Sequence, residues 1–342
     1  MSAALEQWNE RRRRIFYPKT DLDFDLEALR QRRQALARID AEKIASILDE
    51  EVYAIRFLPN AGTFHALFQI DASKRYILKL APEAPAFGFA IEACAMRQLA
   101  HAGLPALEIR AFSVLAGELP VPYLIVEQAN GRPLREFENP DTQAMPEPLL
   151  FELGKTLARI HAVETRGAGL LDVGTLESNP SGLLATWKDY IHLRLEDHVR
   201  VCREIGAISA GEAATIGQLF ANIPPPQPLR LLHGDPGHHN FFSDGLRITA
   251  VIDWEDALSG DPIFDVAYWG TFVRDEMRAR FLEGYRSVQP LPTDFERRYW
   301  LYYLRVALSK TVHRHHFGAR DRPGRPPASQ RIQKALSNLA KL

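Results

Sequence analysis

The chain has 342 residues, 46% hydrophobic and 25% charged, the mixture of an ordinary globular protein of about two domains. Lys and Arg number 42 against 43 Asp and Glu, a formal net charge of −1, so the basic surplus of a general nucleic-acid binder is missing. Cys94 and Cys202 are too few for a disulfide framework, and no run of about 18 apolar residues exists to span a membrane. The charged N-terminus has no apolar signal region, so a cytoplasmic location is expected.

Residues 1–50 read as a charged helical extension, with apolar residues at helical spacing from Leu26 to Leu48. The Arg11–Arg14 run reads as a solvated face. From Val52 the period shortens, and strands are expected at 52–58, 66–70 and 75–80, with the Asn60–His65 turn between the first two. A helix over 89–102 follows, stopped by Gly103 and Pro105, and then a strand pair at 112–115 and 123–127. Five strands with one helix make a small α+β lobe over 51–128. From 129 to 342 the chain becomes mainly helical, with helices expected from Leu150, over 183–205 and over 210–221. The short strand 229–232 interrupts this pattern. Oligomeric state is not legible in the sequence.

That strand delivers the densest polar cluster, His233-Gly234-Asp235-Pro236-Gly237-His238-His239-Asn240. Phe241-Phe242 leaves it, Asp244-Gly245 supplies a tight turn, and 247–252 returns to Asp253-Trp254-Glu255. Such a hairpin brings Asn240 and Asp253 back to one end, beside Asp235. Two carboxylates and an amide oxygen are hard-oxygen donors suited to Mg²⁺. His238 and His239 also admit a metal-hydrolase reading, which the hairpin does not require. His161 reads as a core histidine, and Asp265 as an acceptor of backbone N–H bonds from the loop.

The pattern His233-x-Asp235-x-x-x-x-Asn240, with Asp253 thirteen residues on, resembles the catalytic loop and metal-binding Asp of protein-kinase-like folds. Its H-G-D and I-D-W-E forms resemble the aminoglycoside phosphotransferase family of small-molecule kinases, and most closely its hygromycin-type members. The resemblance covers about Val52 to Tyr303. It implies a two-lobed α+β fold, ATP and Mg²⁺ as cofactors, and phosphoryl transfer to a small-molecule hydroxyl. Asp235 then corresponds to the catalytic base, and Asn240 and Asp253 to the metal ligands. Lys79 corresponds to the phosphate-holding lysine and Glu92 to its ion-pair partner. Glu127 and Ala129 match the adenine hinge. Asn60, Ala61, Gly62 and Thr63 lie where the phosphate-covering loop belongs, with one glycine rather than the three of protein kinases.

The acceptor pocket is expected in the helical lobe near Trp254, Glu255 and Asp256, where carboxylates could pair with aminoglycoside ammonium groups. Antibiotic resistance is the associated expectation. The alternative acceptor is a metabolic alcohol such as choline or homoserine, and a nucleotide-binding pseudokinase is the non-enzymatic reading. The latter is disfavoured because every required polar residue is present.

Overall fold

The computed structural model describes residues 2–17, 26–36, 39–59, 62, 64–142, 144–177, 180–318 and 327–342. Three helices open the chain: α1 (Ser2–Arg12), α2 (Leu26–Ala35) and α3 (Ala41–Leu48). A five-stranded antiparallel sheet follows, built from β1 (Ala54–Phe57), β2 (Ala66–Asp71), β3 (Arg75–Leu80), β4 (Ile109–Ser113) and β5 (Tyr123–Glu127). Its order is β1-β2-β3-β5-β4, and α4 (Phe87–His101) links β3 to β4.

The period of two along each strand decides what the two sheet faces carry. Tyr76, Leu78 and Leu80 of β3, with Tyr123 and Ile125 of β5, face α3 and bury Ile44 and Leu48. Their alternates Ile77, Leu124 and Val126 join the core on the α4 side. Lys79 shares that parity, so the strand aims it at α4.

The second half contains β6 (Arg132–Pro133), α5 (Glu147–Ile160), β7 (Ala168–Leu171), β8 (Gly182–Leu184), α6 (Trp187–His192), α7 (Leu195–Glu204) and α8 (Ala210–Ala221). It continues with β9 (Arg230–Leu232), β10 (Phe241–Ser243), β11 (Ile248–Val251), β12 (Leu258–Gly260), α9 (Ile263–Gly270), α10 (Glu276–Arg286), α11 (Phe295–His316) and α12 (Ala328–Leu339). Helices α5 and α10 approach at Gly154 and Gly284, where any Cβ would fall 2.0 Å from a backbone oxygen of the other helix. Two small sheets, β11-β10-β6 and β8-β7-β12-β9, carry the central loops.

Two departures from the sequence reading are informative. The helix expected over 183–205 is broken: Arg194 adopts φ +57°, separating α6 from α7, and 182–184 is strand. The first fifty residues do not pack as one unit. Helix α3, capped by Asp40, covers the sheet, whereas the segment after α1 buries Ile15 and Phe16 in the core of the helical half. Arg12, expected on a solvated face, is buried with its guanidinium 3.4 Å from the Glu255 carbonyl and over the Trp8 ring.

Candidate active site

Lys79 and Glu92 meet in the space between β3 and α4. The Lys79 ammonium donates to both Glu92 oxygens, at 2.8 and 2.9 Å, and lies 3.3 Å from Asp253 Oδ1 across the chain. Both members of the pair are almost fully buried. Burial pulls the Lys79 pKa down, but Glu92, Asp253 and Glu255 outweigh it and raise the ammonium above its ordinary value. A fixed positive charge therefore stands where the sheet half faces the helical half.

Opposite it, β9 ends at a loop whose backbone is held by side chains. Asp265, in the first turn of α9, accepts from the N–H of His233 at 2.6 Å and of Gly234 at 3.1 Å. His233 is fully buried between Phe241 and Trp254. Its Nδ1 accepts from the Asp235 N–H at 3.2 Å, so Nε2 carries the proton and donates to the Ile252 carbonyl at 2.9 Å. Burial lowers the His233 pKa against the pull of Asp265 and Asp235, which keeps the ring neutral and in that tautomer. Gly234 adopts φ +81°, and a Cβ there would sit 2.2 Å from the Asp256 carbonyl oxygen. This close approach requires glycine.

Asp235, Asn240 and Asp253 are brought together by the hairpin. The Asn240 amide donates to the Asp235 carbonyl at 3.0 Å, and the Ile252 N–H donates to the Asn240 carbonyl at 2.9 Å. Phe241 pairs with Val251, so Asn240 and Asp253 leave adjacent strand ends. Asp253 takes a left-handed conformation, φ +67°, a strained geometry of the kind that collects at functional sites. The donors available are oxygens of the hard type that Mg²⁺ prefers.

The metal-hydrolase reading meets a physical obstacle here. Both ring nitrogens of His233 are engaged within the loop. His238 is engaged too, with Nδ1 2.6 Å from Glu138 Oε1 and Nε2 accepting from the Trp269 indole at 3.0 Å.

The residues proposed around the acceptor diverge. Trp254 is fully buried, its indole donating to the Val251 carbonyl at 2.9 Å, so it braces the loop instead of lining a pocket. Glu255 turns toward the sheet and pairs with His65, whose Nε2 lies 2.9 Å from Oε2. Asp256 is also buried. The glycine of the expected phosphate-covering turn, Gly62, has φ +67°; Asn60, Ala61 and Thr63 lie outside the described residues. At the end of β5, Gln128 N–H donates to the Arg75 carbonyl at 2.8 Å, and Glu127 and Ala129 flank it on the path to β6. Arg12 and Glu138 were missed by the sequence reading, and His65 was read only as the end of the 60–65 turn, without its pairing to Glu255. Their partners are distant in sequence, 243 residues away for Arg12, 190 for His65 and 100 for Glu138, and no local pattern marks these contacts.

This fold and motif set define a protein-kinase-like phosphotransferase scaffold. The model of the phosphotransferase enzyme family matches residues 54–301, and the chain belongs to that family. Hygromycin-B 4-O-kinase of Escherichia coli is 28% identical over 226 residues, covering 63% of each chain. Acyl-CoA dehydrogenase family member 11 of Gallus gallus is 24% identical over 217 residues, 61% of this chain but only 27% of that protein. The chain thus spans less than two thirds of either curated relative. A thermostable mutant of the aminoglycoside phosphotransferase APH(4)-Ia, in ternary complex with AMP-PNP and hygromycin B, superposes with a TM-score of 0.62 at 23% identity. That match covers 85% of this chain and 96% of the other, and it establishes the shared fold. No described helix is long and apolar enough to cross a membrane.

Proposed function

We propose that this chain transfers the terminal phosphoryl group of ATP to a hydroxyl of a small molecule, with an aminoglycoside or related aminocyclitol or sugar as acceptor. The observation that carries the reading is the Lys79 ion pair, which joins Glu92 of α4 to Asp253 beyond the catalytic hairpin. Phosphoryl transfer through a loose transition state depends on positioning and charge neutralisation, and this arrangement offers both. In this reading Asp235 accepts the proton of the attacking hydroxyl, and Lys79 holds the nucleotide phosphates. Asn240 and Asp253 would hold Mg²⁺, which when bound offsets the triphosphate charge.

The division of labour follows the fold. In this reading residues 51–128 bind the nucleotide, the adenine reaching the backbone of Glu127 and Ala129. Residues 129–342 carry the catalytic loop and the acceptor pocket. The similarity to hygromycin-B 4-O-kinase, and to a structure holding AMP-PNP with hygromycin B, supports ATP and an aminocyclitol antibiotic as the substrate pair.

The test is ADP release with Mg·ATP over a panel of aminoglycosides, choline, homoserine and macrolides, with Asp235→Asn as control. One aminoglycoside that elicits release in the native chain alone supports the reading. A hit confined to choline or homoserine moves the acceptor to metabolic alcohols. Nucleotide binding without transfer to any hydroxyl, unaffected by Asp235→Asn, turns the reading to a pseudokinase.

A further inference from the structure

Helix α1 lies before the region matched by the family model, which begins at residue 54, yet it touches both halves of the molecule. Trp8 packs edge-to-face on Phe87 at the start of α4, ring centroids 5.8 Å apart. Asn9 donates to the Asp172 carboxylate of the helical half at 2.7 Å. One turn on, the buried Arg12 guanidinium reaches the Glu255 carbonyl at 3.4 Å. The chain is then fastened by buried Ile15 and Phe16, whose carbonyl accepts from the Tyr190 hydroxyl at 2.6 Å.

The turn that Arg12 meets belongs to the site. Asp253, at φ +67°, leads into the 3₁₀ turn Trp254–Asp256 and faces Lys79. Three carboxylates therefore stand within residues 253–256. Lys79 faces the first, His65 the second, and the third, Asp256, is buried. The turn is also packed tightly against α4, because a Cβ on Gly88 would fall 3.3 Å from Glu255 Cβ. Thus α1 contacts the two elements whose junction sets Asp253 opposite Lys79: α4 through Trp8, and the turn through Arg12.

Packing alone does not account for an arginine at this place. Burial lowers the Arg12 pKa against the pull of Asp256 and then Glu255, and its Nε has no partner among the described residues. A guanidinium keeps its proton at every working pH, so a full cation is held in the interior at a cost that an apolar side chain would avoid. The negative charge of the turn offsets that cost.

We propose that Arg12 is a positioning residue for phosphoryl transfer: it balances the buried Asp256 carboxylate, pins the 253–256 turn at the Glu255 carbonyl, and so holds Asp253 facing Lys79. The inference rests on the phosphotransfer reading above and adds to it a residue from outside the family-matched region. Its action passes through Asp253, which in that reading would hold Mg²⁺. Without the cation, Asp256 is driven toward water and the turn moves with it.

The experiment uses the full chain as native, Arg12→Met, and Arg12→Met combined with Asp256→Asn. Methionine keeps a long buried side chain without the charge, and the second change removes the carboxylate charge that Arg12 balances. Three quantities are read: AMP-PNP affinity without metal, the Mg²⁺ concentration that half-saturates its enhancement of AMP-PNP binding, and the melting temperature. In Arg12→Met the half-saturating Mg²⁺ should rise about tenfold or more, with metal-free affinity within about threefold of native. The double variant should recover most of that loss. An unchanged Mg²⁺ requirement in Arg12→Met overturns the proposal, as does one that stays raised in the double variant. Equal weakening with and without Mg²⁺, in step with a lower melting temperature, also overturns it, since that marks a structural role. If Arg12→Met does not fold, a folded double variant with native Mg²⁺ dependence supports the proposal, and failure of both to fold overturns it. A native chain whose AMP-PNP binding ignores Mg²⁺ overturns the proposal alone; one that binds no AMP-PNP at any Mg²⁺ concentration withdraws the phosphotransfer reading with it.

Discussion

The sheet half and the loop after β9 hold their polar groups by opposite means. In the sheet half, a side-chain ion pair between Lys79 and Glu92 is buried in the interior, and the backbone around it is regular strand and helix. In the loop, the backbone is irregular and the side chains of Asp265 and His233 are spent on holding it. The first arrangement positions a charge by secondary structure; the second positions a carboxylate by satisfying buried N–H groups. The two designs fail differently. Removing one side of a buried ion pair strands a charge, whereas removing a loop brace strands backbone donors.

The largest effect should come from the ion pair. Lys79→Met leaves Glu92 buried without its cation, and a loss of about 3–5 kcal/mol is expected in urea unfolding. Adding Glu92→Leu should recover much of it, and a double-mutant cycle with no coupling would break the contrast at its first term. Next is Asp265→Ala, which orphans the N–H groups of His233 and Gly234. A cost of about 2–4 kcal/mol is expected, with kcat reduced and Mg·ATP affinity retained. If nucleotide affinity fell in proportion to kcat, the loop would not be an independent unit. Gly234→Ala is expected to cost about 1–3 kcal/mol, because φ +81° and the Asp256 carbonyl both oppose a side chain. Unfolding midpoints would check it, and an unchanged midpoint would remove the close approach from the account.

The smallest effect is the one that depends on pH. His233 is held neutral in the fold, while an unfolded histidine titrates near 6.5 (a value of about 6.5 being ordinary for exposed imidazole). Below that pH the unfolded chain takes up a proton that the folded site resists, so stability from this group is present at pH 7.5 and declines as the pH falls through about 6.5. Unfolding midpoints from pH 7.5 to 5.5 should fall less steeply in His233→Asn than in the native chain. Parallel slopes would show that the ring's neutrality contributes nothing.

What could be read from the sequence follows the same divide. Lys79 and Glu92 were named from the resemblance, which works because the strand and the following helix that carry them are read from local patterns; the structure then shows Lys79 on the α4 face of β3. Asp235, Asn240 and Asp253 were legible because one hairpin, with its Asp244-Gly245 turn, returns the chain to its starting end. Trp254, Glu255 and Asp256 were grouped as acceptor residues and are not grouped in space. They form one 3₁₀ turn, in which successive side chains point about 120° apart. One of them enters the core, one meets His65, and one is buried near Arg12 and Tyr17. The helix expected over 183–205 failed for a related reason, since apolar spacing does not register a single residue at positive φ such as Arg194. Arg12 and Tyr17 had no local signal at all. Arg12 meets the Glu255 carbonyl and Tyr17 the Tyr268 ring, each more than 200 residues away, and only tertiary packing brings them together.

The contact between Lys79 and Asp253 has a thermodynamic consequence for ligand entry. In this structure the lysine is already neutralised by two carboxylates. On the proposed reading, a polyphosphate arriving there would meet no bare cation; it would enter an exchange, displacing one anionic partner of Lys79. Net affinity then reflects the difference between two ion pairs, and the ionic-strength dependence of binding should be shallower than the number of charges in the cleft suggests.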